Sequence, residues 1–294
     1  MRFNDGGASE THALRRMSVS IIILAQNEAL DLPTLLASIR WCDDIHLVDS
    51  GSTDATMEIA RAAGVHCLEH PFTAFGEQRN WALSNSEVRH PWVLFLDADE
   101  ASTPAFHTAV MCAIQQAPDS VAGFYCCWKM MVEGRWLKRC DSFPKWQFRL
   151  LRRGRATFVD FGHGQKEGTI DGTLEYVREP YLHFVVSKGW ATWLERHNRY
   201  STQEAVERSR TPIRWNEIFA PDPSIRNKAL KPLVSRIPGW PVLRFIQAYL
   251  LSGGFLEGRA GFSYCVNLAY YEFLIQIKQR ELERDALSSR GSSR

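Results

Sequence analysis

Short apolar runs alternate with amphipathic segments through the first third of the chain. A run of β-branched and large apolar residues, typical of a strand buried on both faces, occupies residues 18–24. Further short strands are predicted at 45–48, 65–68 and 91–96. Apolar residues at helical spacing predict helices that begin at four points. These are Asp31, Ser52 or Asp54 (through Ala63), Phe75 (through Asn85), and Thr103 followed by Pro104. Strands that alternate with helices predict an α/β fold, a mostly parallel sheet with helices on both faces.

The pattern changes after about residue 120. Strands are expected at 123–128, 147–152 and 181–184, separated by glycine-rich and charged loops. From Trp190 the chain is predicted to be helical, and a second helical stretch over 245–283 is expected to break near Gly253 and near 258–261. We therefore expect a polar leader at 1–16, an α/β catalytic domain at 17–189, and a helical, basic and aromatic region at 190–294.

Charge is divided unevenly along the chain. The sequence has 35 Lys and Arg against 33 Asp and Glu, a net charge of +2, which gives no argument for nucleic-acid binding. Residues 196–259 contain 11 basic and 5 acidic residues, a local +6, so the remainder carries −4. The seven cysteines include no CxxC pair, which favours buried thiols in a reducing compartment over disulfides or a zinc site. The N-terminus has no apolar run of signal-peptide length.

Polar clusters follow the predicted strands where the strands end. The clusters are Gln26-Asn27-Glu28, Asp49-Ser50-Gly51-Ser52-Thr53-Asp54, Gln78-Arg79-Asn80 on the third helix, and Asp97-Ala98-Asp99-Glu100. In a doubly wound sheet such clusters converge on one crevice, where ligands bind. Asp97 and Asp99, without Cys or His beside them, suit a hard cation such as Mg²⁺ or Mn²⁺ completed by diphosphate oxygens. The pattern indicates a metal–diphosphate site.

At these residues the sequence resembles a known family. The segments SIIILAQNE, LVDSGSTDAT, GEQRNWAL and WVLFLDADE resemble the nucleotide-sugar half of family 2 glycosyltransferases with the GT-A fold, over residues 18–105. Further segments resemble the bacterial lipopolysaccharide-core, WaaE-like glucosyltransferase branch. They are PKWQFRLLRRG, GHGQKEG, LHF, LERHNRYS and FLEGRAGFSYCVNLAYYEFL.

The resemblance implies roles for the donor residues. Asp49 would contact the pyrimidine of the nucleotide, with Gln26, Asn27 and Glu28 beside the base. Arg79 would approach the nucleotide and Asp97 the ribose. Asp99 would hold the Mg²⁺ or Mn²⁺ ion that bridges the diphosphate of a nucleotide sugar, with UDP-glucose as the candidate donor.

Relatives of this kind invert the anomeric centre, which requires a base for the acceptor hydroxyl. In many of them the base lies in a Val-His-Glu loop after an Arg-Leu strand. Here the strand contains Arg149-Leu150 and the loop is 162–168, where His163 and Glu167 are separated. We take Glu167 as the base, with Asp160 and Asp141 as alternative bases. The purely structural interpretation is that Glu167 is a loop residue paired with Lys166 or Arg149.

Other basic residues are candidates for phosphate contacts. His183 follows an apolar strand and is a candidate second metal ligand or diphosphate contact, or a histidine at the edge of the core. Arg149 and a cluster on the helix after Trp190 are candidates to hold the diphosphate or an acceptor phosphate. That cluster consists of Arg196, His197, Arg199 and Tyr200, and its plain alternative is a solvated helix face.

The C-terminal region combines basic and aromatic residues in stretches too short to span a bilayer. Charge-free stretches at 245–256 and 260–271 are twelve residues each, against the roughly 20 residues that a span requires. We expect this region to lie on an anionic membrane surface, at the cytoplasmic face of the inner membrane, where a lipid-linked glycan acceptor would be found. The alternative is packing on the catalytic domain or a homo-oligomer interface.

The leading hypothesis is a metal-dependent, inverting hexose transfer to a lipid-linked glycan such as the lipopolysaccharide inner core. A second enzyme hypothesis changes the acceptor to a polyprenyl-linked exopolysaccharide intermediate or polyprenyl phosphate. A nucleotidyltransferase would carry a glycine-rich basic loop after its first strand, where this chain has Gln26-Asn27-Glu28. The non-enzymatic alternative is a scaffold that binds a sugar nucleotide.

Overall fold

The structure, a computed structural model, describes residues 19–140, 142–161, 164–212, 215–221, 226, 229–230 and 236–291 of the 294. The chain divides into two compact units. The first contains the described residues up to Met131 together with Phe143–Ser187, and the second contains Val132–Ser142 and the described residues from Lys188. The expected leader at 1–16 and the alternative base Asp141 lie outside the described residues.

The first unit begins with the predicted alternation of strands and helices. Its elements are β1 (Val19–Ala25), α1 (Leu32–Ser38), β2 (Ile45–Asp49), α2 (Thr56–Ala62), β3 (His66–Glu69), α3 (Phe75–Asn85), β4 (Trp92–Asp97), β5 (Glu100–Ala101) and α4 (Pro104–Gln116). The later elements are mostly strands. They are β6 (Val121–Val132), β7 (Arg135–Trp136, which groups with the second unit), β8 (Trp146–Arg152), β9 (Ala156–Phe161), β10 (Gly164–Ile170) and β11 (Thr173–His183).

One mixed sheet organises this unit, in the order β3-β2-β1-β4-β8-β6-β11-β5. Strands β1 to β4 are parallel to one another, β6 is parallel to β11, and β8 runs antiparallel between β4 and β6. The short β5 is antiparallel to β11, and β9 and β10 form a separate antiparallel pair. The predicted α/β fold with a mostly parallel sheet is confirmed, and β8, β9 and β10 fall in the part of the chain where the pattern changes.

Strand β1 shows why its sequence has no polar alternation. Ile21 and Ile23 pack in one core cluster with residues of α1 and α4, whereas Ile22 packs in a second cluster with Ala82 of α3. Successive side chains of a strand point to opposite faces, so a strand covered on both faces must be apolar throughout.

Two local predictions need correction. Asp31 does precede α1, but its backbone is helical (φ −93°, ψ −36°), whereas a capping residue requires an extended backbone. Its carboxylate therefore accepts from the Ser187 hydroxyl at 3.0 Å and caps no helical N–H. The segment 162–168 was predicted to be a loop, yet residues from Gly164 form strand β10. There Glu167 pairs with Phe158 of β9. The backbone N–H and C=O groups of this segment are hydrogen-bonded by the partner strand, which the local sequence pattern does not reveal.

The second unit is helical in its described part. It contains α5 (Gly189–Arg210), a 3₁₀ turn (Trp215–Glu217), α6 (Trp240–Ile246), a π-helical turn (Gln247–Leu251), a 3₁₀ turn (Gly254–Glu257) and α7 (Gly258–Gly291). Gly253 breaks the helix as predicted, with φ +79°. Gly261, predicted to break it again, lies inside α7. A Cβ there would collide with the Gly254 carbonyl, so the glycine serves close packing.

A buried ion-pair network joins α5, α6 and α7. Arg208 of α5 donates to Glu204 Oε1 at 2.8 Å and to Glu272 Oε2 of α7 at 2.8 Å. Trp240 of α6 donates its indole N–H to the same Glu272 oxygen at 3.1 Å. Among the described residues, no helix is both long enough and apolar enough to cross a membrane.

Candidate donor site

The polar clusters predicted at strand ends lie along one edge of the sheet. In the strand register Ala25 is opposite Asp49, Leu24 is opposite Asp97, and Asp49 is opposite Glu69. The carboxyl ends of β1, β2, β3 and β4 therefore coincide, and the loops that follow them share one crevice. The sheet register brings Gln26, Asn27, Glu28, Asp49 and Asp97 to this edge.

The loops after β1 and β2 are hydrogen-bonded to each other. Asn27 adopts a left-handed backbone (φ +57°), and its side-chain oxygen accepts the Thr53 N–H at 2.8 Å. In return, the Asn27 N–H donates to the Ser52 hydroxyl at 2.8 Å, and the Glu28 N–H donates to the Thr56 hydroxyl at 2.7 Å. Because both loops fix each other, the edge of the crevice is formed before any ligand binds.

Asp49 organises the second loop. It is buried, and its Oδ2 accepts the N–H groups of Gly51 at 3.0 Å and Ser52 at 2.8 Å. The Ser52 hydroxyl also donates to Oδ1. A carboxylate offers about four lone-pair positions, so these three contacts leave one acceptor position. Neither predicted cap occupies the N-cap position of α2, which is Ala55 and has no side-chain cap hydrogen bond. Asp54 accepts the Thr56 N–H at 3.0 Å, and the Ser52 hydroxyl accepts the Asn27 N–H.

Gln78 ties α3 to the same edge. Its amide nitrogen donates to the Ser50 hydroxyl and to the His70 carbonyl, both at 3.1 Å, and its oxygen lies 2.8 Å from His70 Nδ1. Gln26 donates to the Ser50 carbonyl at 3.2 Å. Ser50 therefore connects the loop after β1, the loop after β2 and the helix α3.

Asp97 is held by two arginines. Arg79 Nη2 lies 3.0 Å from Asp97 Oδ1, and Arg149 Nη2 lies 2.6 Å from Asp97 Oδ2. Arg149 also contacts Glu100 Oε1 at 2.8 Å, and Glu100 Oε2 accepts the Asp97 N–H at 2.8 Å. Both guanidinium groups are fully buried, whereas 36% of the Asp97 side chain is exposed. Arg149, a candidate for phosphate contacts, is thus placed beneath Asp97 as its counter-ion.

The pKa values of Asp97, Glu100 and Arg79 are shifted in different ways. Burial alone would raise the pKa of Asp97, but Arg149 and Arg79 outweigh it and hold the pKa well below its usual range. Burial raises the pKa of Glu100 to about 7 against the opposing effect of Arg149. Burial also lowers the pKa of Arg79 to about 10. Asp97 is consequently the ionised, partly exposed acceptor of the group.

Asp99 and His183 form a second pair beside this group. His183 Nε2 lies 3.5 Å from Asp99 Oδ2, and 24% and 16% of the two side chains are exposed. His183 reaches this place because it ends β11 opposite Glu100 of β5. Burial alone would lower the pKa of His183, but the Asp99 carboxylate outweighs it and raises the pKa.

The side chains at the end of β4 fit a metal ion that takes most of its ligands from substrate phosphates and water. Both Asp97 oxygens accept from arginines, and Asp99 lies two residues further along the chain. Within the described ranges, no group of three or more His, Cys, Asp or Glu side chains is placed to hold a metal. Mg²⁺ and similar ions are commonly held by one or two carboxylates plus substrate phosphates and water, which this donor set matches.

Glu167 lies on β10, half-buried, where Tyr125 of β6 hydrogen-bonds to its carboxylate. Burial, followed by this hydrogen bond, raises the pKa of Tyr125. The alternative base Asp160 accepts the Gly76 N–H at 2.7 Å, so it anchors the start of α3. His163 lies outside the described residues.

The remaining candidates lie on α5 in the second unit. His197 stacks on Trp193 with ring centroids 3.4 Å apart, and its Nδ1–H donates to the Trp193 carbonyl at 2.8 Å. Tyr200 lies edge-on to His197, Arg196 is half-buried, and Arg199 is exposed. The structure therefore brings Arg196, His197, Arg199 and Tyr200 together on one helix.

Two residues to which the sequence assigned no role, Glu100 and Asn80, hold other parts of the site in place. Glu100 shares Arg149 with Asp97, and only its position directly after the Asp97–Asp99 element signalled it. Asn80 clamps β9: its amide donates to the Phe158 carbonyl and accepts the Phe158 N–H, both at 2.9 Å. Its place beside Arg79 in the polar cluster of α3 was the available signal.

Residues 20–165 match the family model described as Glycosyl transferase family 2. The match covers the sheet edge with its interlocked loops, the Asp97–Asp99 element and β8. The chain belongs to glycosyl transferase family 2, and the protein is a glycosyltransferase with the GT-A fold.

Relatives extend the similarity along the chain. The lipopolysaccharide core biosynthesis glycosyltransferase LpsC of Rhizobium meliloti is 25% identical over 284 residues, which cover 94% of this chain and 96% of the relative. An uncharacterized glycosyltransferase of Rickettsia bellii is 31% identical over 83 residues, 28% of each chain.

Among solved structures, TarS 1–349 of S. aureus in complex with UDP is 15% identical with a TM-score of 0.44, over 91% of this chain and 92% of that one. Glucosyl-3-phosphoglycerate synthase from Mycobacterium tuberculosis, in complex with Mn²⁺, UDP-glucose and glycerol 3-phosphate, is 21% identical. Its TM-score is 0.33, and the alignment covers 46% of this chain and 51% of that chain.

Proposed function

We propose that the protein transfers a hexose from a UDP-sugar to a lipid-linked glycan, with inversion and with the help of Mg²⁺ or Mn²⁺. The observation that carries this proposal is the different surroundings of Asp97 and Asp99, two carboxylates at the end of β4. The charge of Asp97 is compensated by two buried arginines, and Asp99 follows two residues later, 3.5 Å from His183. We assign Asp99 as the carboxylate that would hold a cation beside the ionised Asp97.

Donor binding follows from the fixed edge of the crevice. Asp49 would accept the ring N–H of a uracil through its remaining lone pair, with Gln26, Asn27 and Glu28 beside the base. Asp97 would accept a ribose hydroxyl, and the two arginines beneath it keep it ionised over the working pH range. Asp99, with His183 as a second contact, would hold the cation, which would supply charge neutralisation for the departing diphosphate.

Inversion requires direct displacement at the anomeric carbon. We assign Glu167 as the base that takes the proton of the acceptor hydroxyl while the acceptor oxygen attacks. The Tyr125 hydrogen bond orients this carboxylate, which supports the assignment. Arg196, His197, Arg199 and Tyr200 form a cationic helix face that suits a phosphate of the acceptor.

The acceptor class is supported by the similarity to LpsC over nearly the whole chain. A lipopolysaccharide-core glycan is therefore the first acceptor to test, and glucose the first hexose. The direct experiment measures UDP release from a panel of UDP-sugars, with and without a lipopolysaccharide-core acceptor, in Mn²⁺, Mg²⁺ or EDTA. The proposal predicts acceptor-stimulated release that EDTA abolishes. Release that is equal in EDTA would refute metal dependence, and no release with any UDP-sugar would refute the donor assignment.

A membrane location is supported by the exposed apolar surface of the second unit. Helix α6 has no buried residue, and Val242, Leu250, Leu251 and Phe255 are 50–80% exposed. Arg244 lies among them, and basic residues contribute about 1 kcal/mol each near an anionic leaflet. Monomeric proteins rarely expose a contiguous apolar patch of this kind without a partner. We assign this surface to the anionic inner-membrane leaflet, where the protein would bind peripherally at the cytoplasmic face.

Vesicle sedimentation tests this assignment. The chain should sediment with phosphatidylglycerol vesicles at low salt, and Leu250→Asp/Leu251→Asp should lose that binding. Leu30→Asp, which changes a 65% exposed leucine of the first unit, is the matched control and should retain it. Failure of the chain to bind the vesicles would refute the membrane assignment. A concentration-dependent dimer that the double variant dissolves would assign the surface to a homo-oligomer interface instead.

A further inference from the structure

An arginine-rich cleft lies at the other end of strand β4 from Asp97. It is open, has a volume of 470 Å³, and is lined by Arg89, His90, Pro91, Arg152, Arg153 and Arg155. Five of these six residues are basic, and no acidic residue lines the cleft. Four arginine side chains that share one cleft repel one another to the extent that nearby anions do not compensate their charge.

Two turns form the cleft and are hydrogen-bonded to each other. The first joins α3 to β4 and the second joins β8 to β9. The Arg153 N–H donates to the Pro91 carbonyl at 2.8 Å, and the Arg155 N–H donates to the Arg152 carbonyl at 3.0 Å. Strand β4 begins next to the cleft and ends at Asp97, five residues later, which corresponds to about 16 Å at the rise of a strand. The cleft is therefore separate from the donor site.

Main-chain carbonyls hold all four guanidinium groups in place, that of Arg89 through the Asp43 carbonyl. Arg152 donates to the carbonyls of Val121 at 3.2 Å and Pro118 at 3.1 Å. Arg155 donates to the Asp171 carbonyl at 2.8 Å, and Arg153 donates to the Val88 carbonyl at 2.8 Å. A guanidinium has five N–H donors, so these contacts fix the groups and leave donors for a ligand. The ordering cost that long side chains normally incur on binding is thereby reduced.

Carboxylates outside the cleft compensate part of its charge. Arg89 pairs with Asp44 at 3.0 Å, and Arg155 pairs with Asp171 at 2.6 Å. Arg152 is 3.6 Å from Asp119, which is 97% exposed, so solvent weakens that pair. Among the described residues, no carboxylate lies within ion-pair distance of Arg153, which makes this arginine the least compensated charge of the cleft.

We propose that this cleft binds a phosphate-bearing group, a phosphate monoester or a diphosphate, on a ligand other than the sugar-nucleotide donor. Guanidinium groups match the geometry of phosphate oxygens through paired hydrogen bonds, which favours phosphate over carboxylate or chloride. The phosphate belongs either to a soluble phosphorylated saccharide or to a lipid headgroup, and the cleft recognises the same chemistry in both.

Pyrophosphate binding to the full chain tests the proposal without any transferase assay. The melting temperature is measured against pyrophosphate in EDTA, with chloride added to hold ionic strength constant. We expect a saturable rise, because a ligand that binds the native state stabilises it by mass action. Arg153→Gln, which removes only one hydrogen bond to the protein, should weaken the apparent affinity about tenfold or more. Arg61→Gln, at a 61% exposed arginine elsewhere on the same unit, is the matched control and should leave it unchanged.

A second variant and a vesicle experiment complete the test. Arg153→Gln/Arg155→Gln should abolish the rise while the melting temperature in chloride shows that the chain is folded. Sedimentation with phosphatidic acid vesicles, whose headgroup is a phosphate monoester, that Arg153→Gln weakens would assign the phosphate to a lipid headgroup. Pyrophosphate binding without that effect would assign it to a soluble ligand. The proposal is overturned if pyrophosphate gives no rise beyond chloride, or if Arg153→Gln and Arg61→Gln respond like the unmodified chain.

Discussion

Arg149 Nη2 lies between two carboxylates, 2.6 Å from Asp97 Oδ2 and 2.8 Å from Glu100 Oε1. The arginine comes from β8 and the carboxylates from the end of β4 and from β5, so one buried guanidinium joins three strands. Its charge is what allows an ionised Asp97 beside a fully buried Glu100.

Removal of Arg149 should therefore be costly. Arg149→Met leaves Glu100 buried without its counter-ion, and we expect the free energy of unfolding in urea to fall by about 3–5 kcal/mol. Arg61→Met, which breaks an exposed pair with Glu69 at 3.5 Å, should change it by less than about 1 kcal/mol. Equal effects of the two substitutions would contradict the structural role of the buried pair.

Asp44 should make stability depend on acidity. Burial alone would raise its pKa, but hydrogen bonds from Ser20 and Arg89 outweigh it and lower the pKa to about 2. A folded pKa below the unfolded value of about 3.9 gives stability that is present above pH 4 and is lost as the pH falls towards 2.

The measurement compares unfolding free energies of the unmodified chain and Asp44→Asn between pH 5 and pH 2. Their difference should shrink by about 2 kcal/mol over that range, since one pKa unit corresponds to about 1.4 kcal/mol. A difference that stays constant with pH would show that Asp44 does not contribute through its charge.

Asn80 should matter far more than another asparagine of the same helix. Asn80→Ala removes both hydrogen bonds to Phe158 and should lower the free energy of unfolding by about 2 kcal/mol or more, because two backbone groups of β9 lose their partners. Asn85→Ala, whose amide donates only to the exposed Trp81 carbonyl on its own helix, should cost less than about 1 kcal/mol. Similar losses would show that the clamp on β9 is not specific.

Glu167→Gln should separate chemistry from donor binding. If Glu167 takes the acceptor proton, turnover with UDP-sugar and acceptor should fall roughly 10²- to 10⁴-fold while the affinity for UDP is unchanged. Glu175→Gln on β11, an exposed glutamate, is the matched control. Near-normal turnover of Glu167→Gln would remove Glu167 as the base.

The local hydrophobic pattern was sufficient to predict the parallel strands β1 to β4, but it was insufficient to predict the antiparallel strand β10. β1 to β4 were predicted to within a residue or two. β1, β2 and β4 are buried on both faces and must be apolar, whereas β3 is an edge strand exposed at both ends. Strand β10, with the sequence GQKEGTI, has no such signal, and only its pairing with β9 makes it a strand.

The same limit applies to the site. Asp49, Asp97 and Asp99 were identified because they follow apolar strands directly. That Arg149 lies beneath Asp97 depends on the register of β4 with β8, where Leu94 is opposite Leu150. Such long-range pairing cannot be read from spacing within either segment.

Metal-dependent UDP binding is the most direct test of the donor site. The melting temperature is measured with UDP in Mn²⁺ and with UDP in EDTA, for the unmodified chain and for Asp99→Asn. We predict that UDP in Mn²⁺ stabilises the unmodified chain, by about 2.7 kcal/mol at a hundred times its dissociation constant, and that EDTA or Asp99→Asn removes most of the effect. A chain that UDP fails to stabilise in Mn²⁺, or that UDP stabilises equally in EDTA, would contradict the donor site described above.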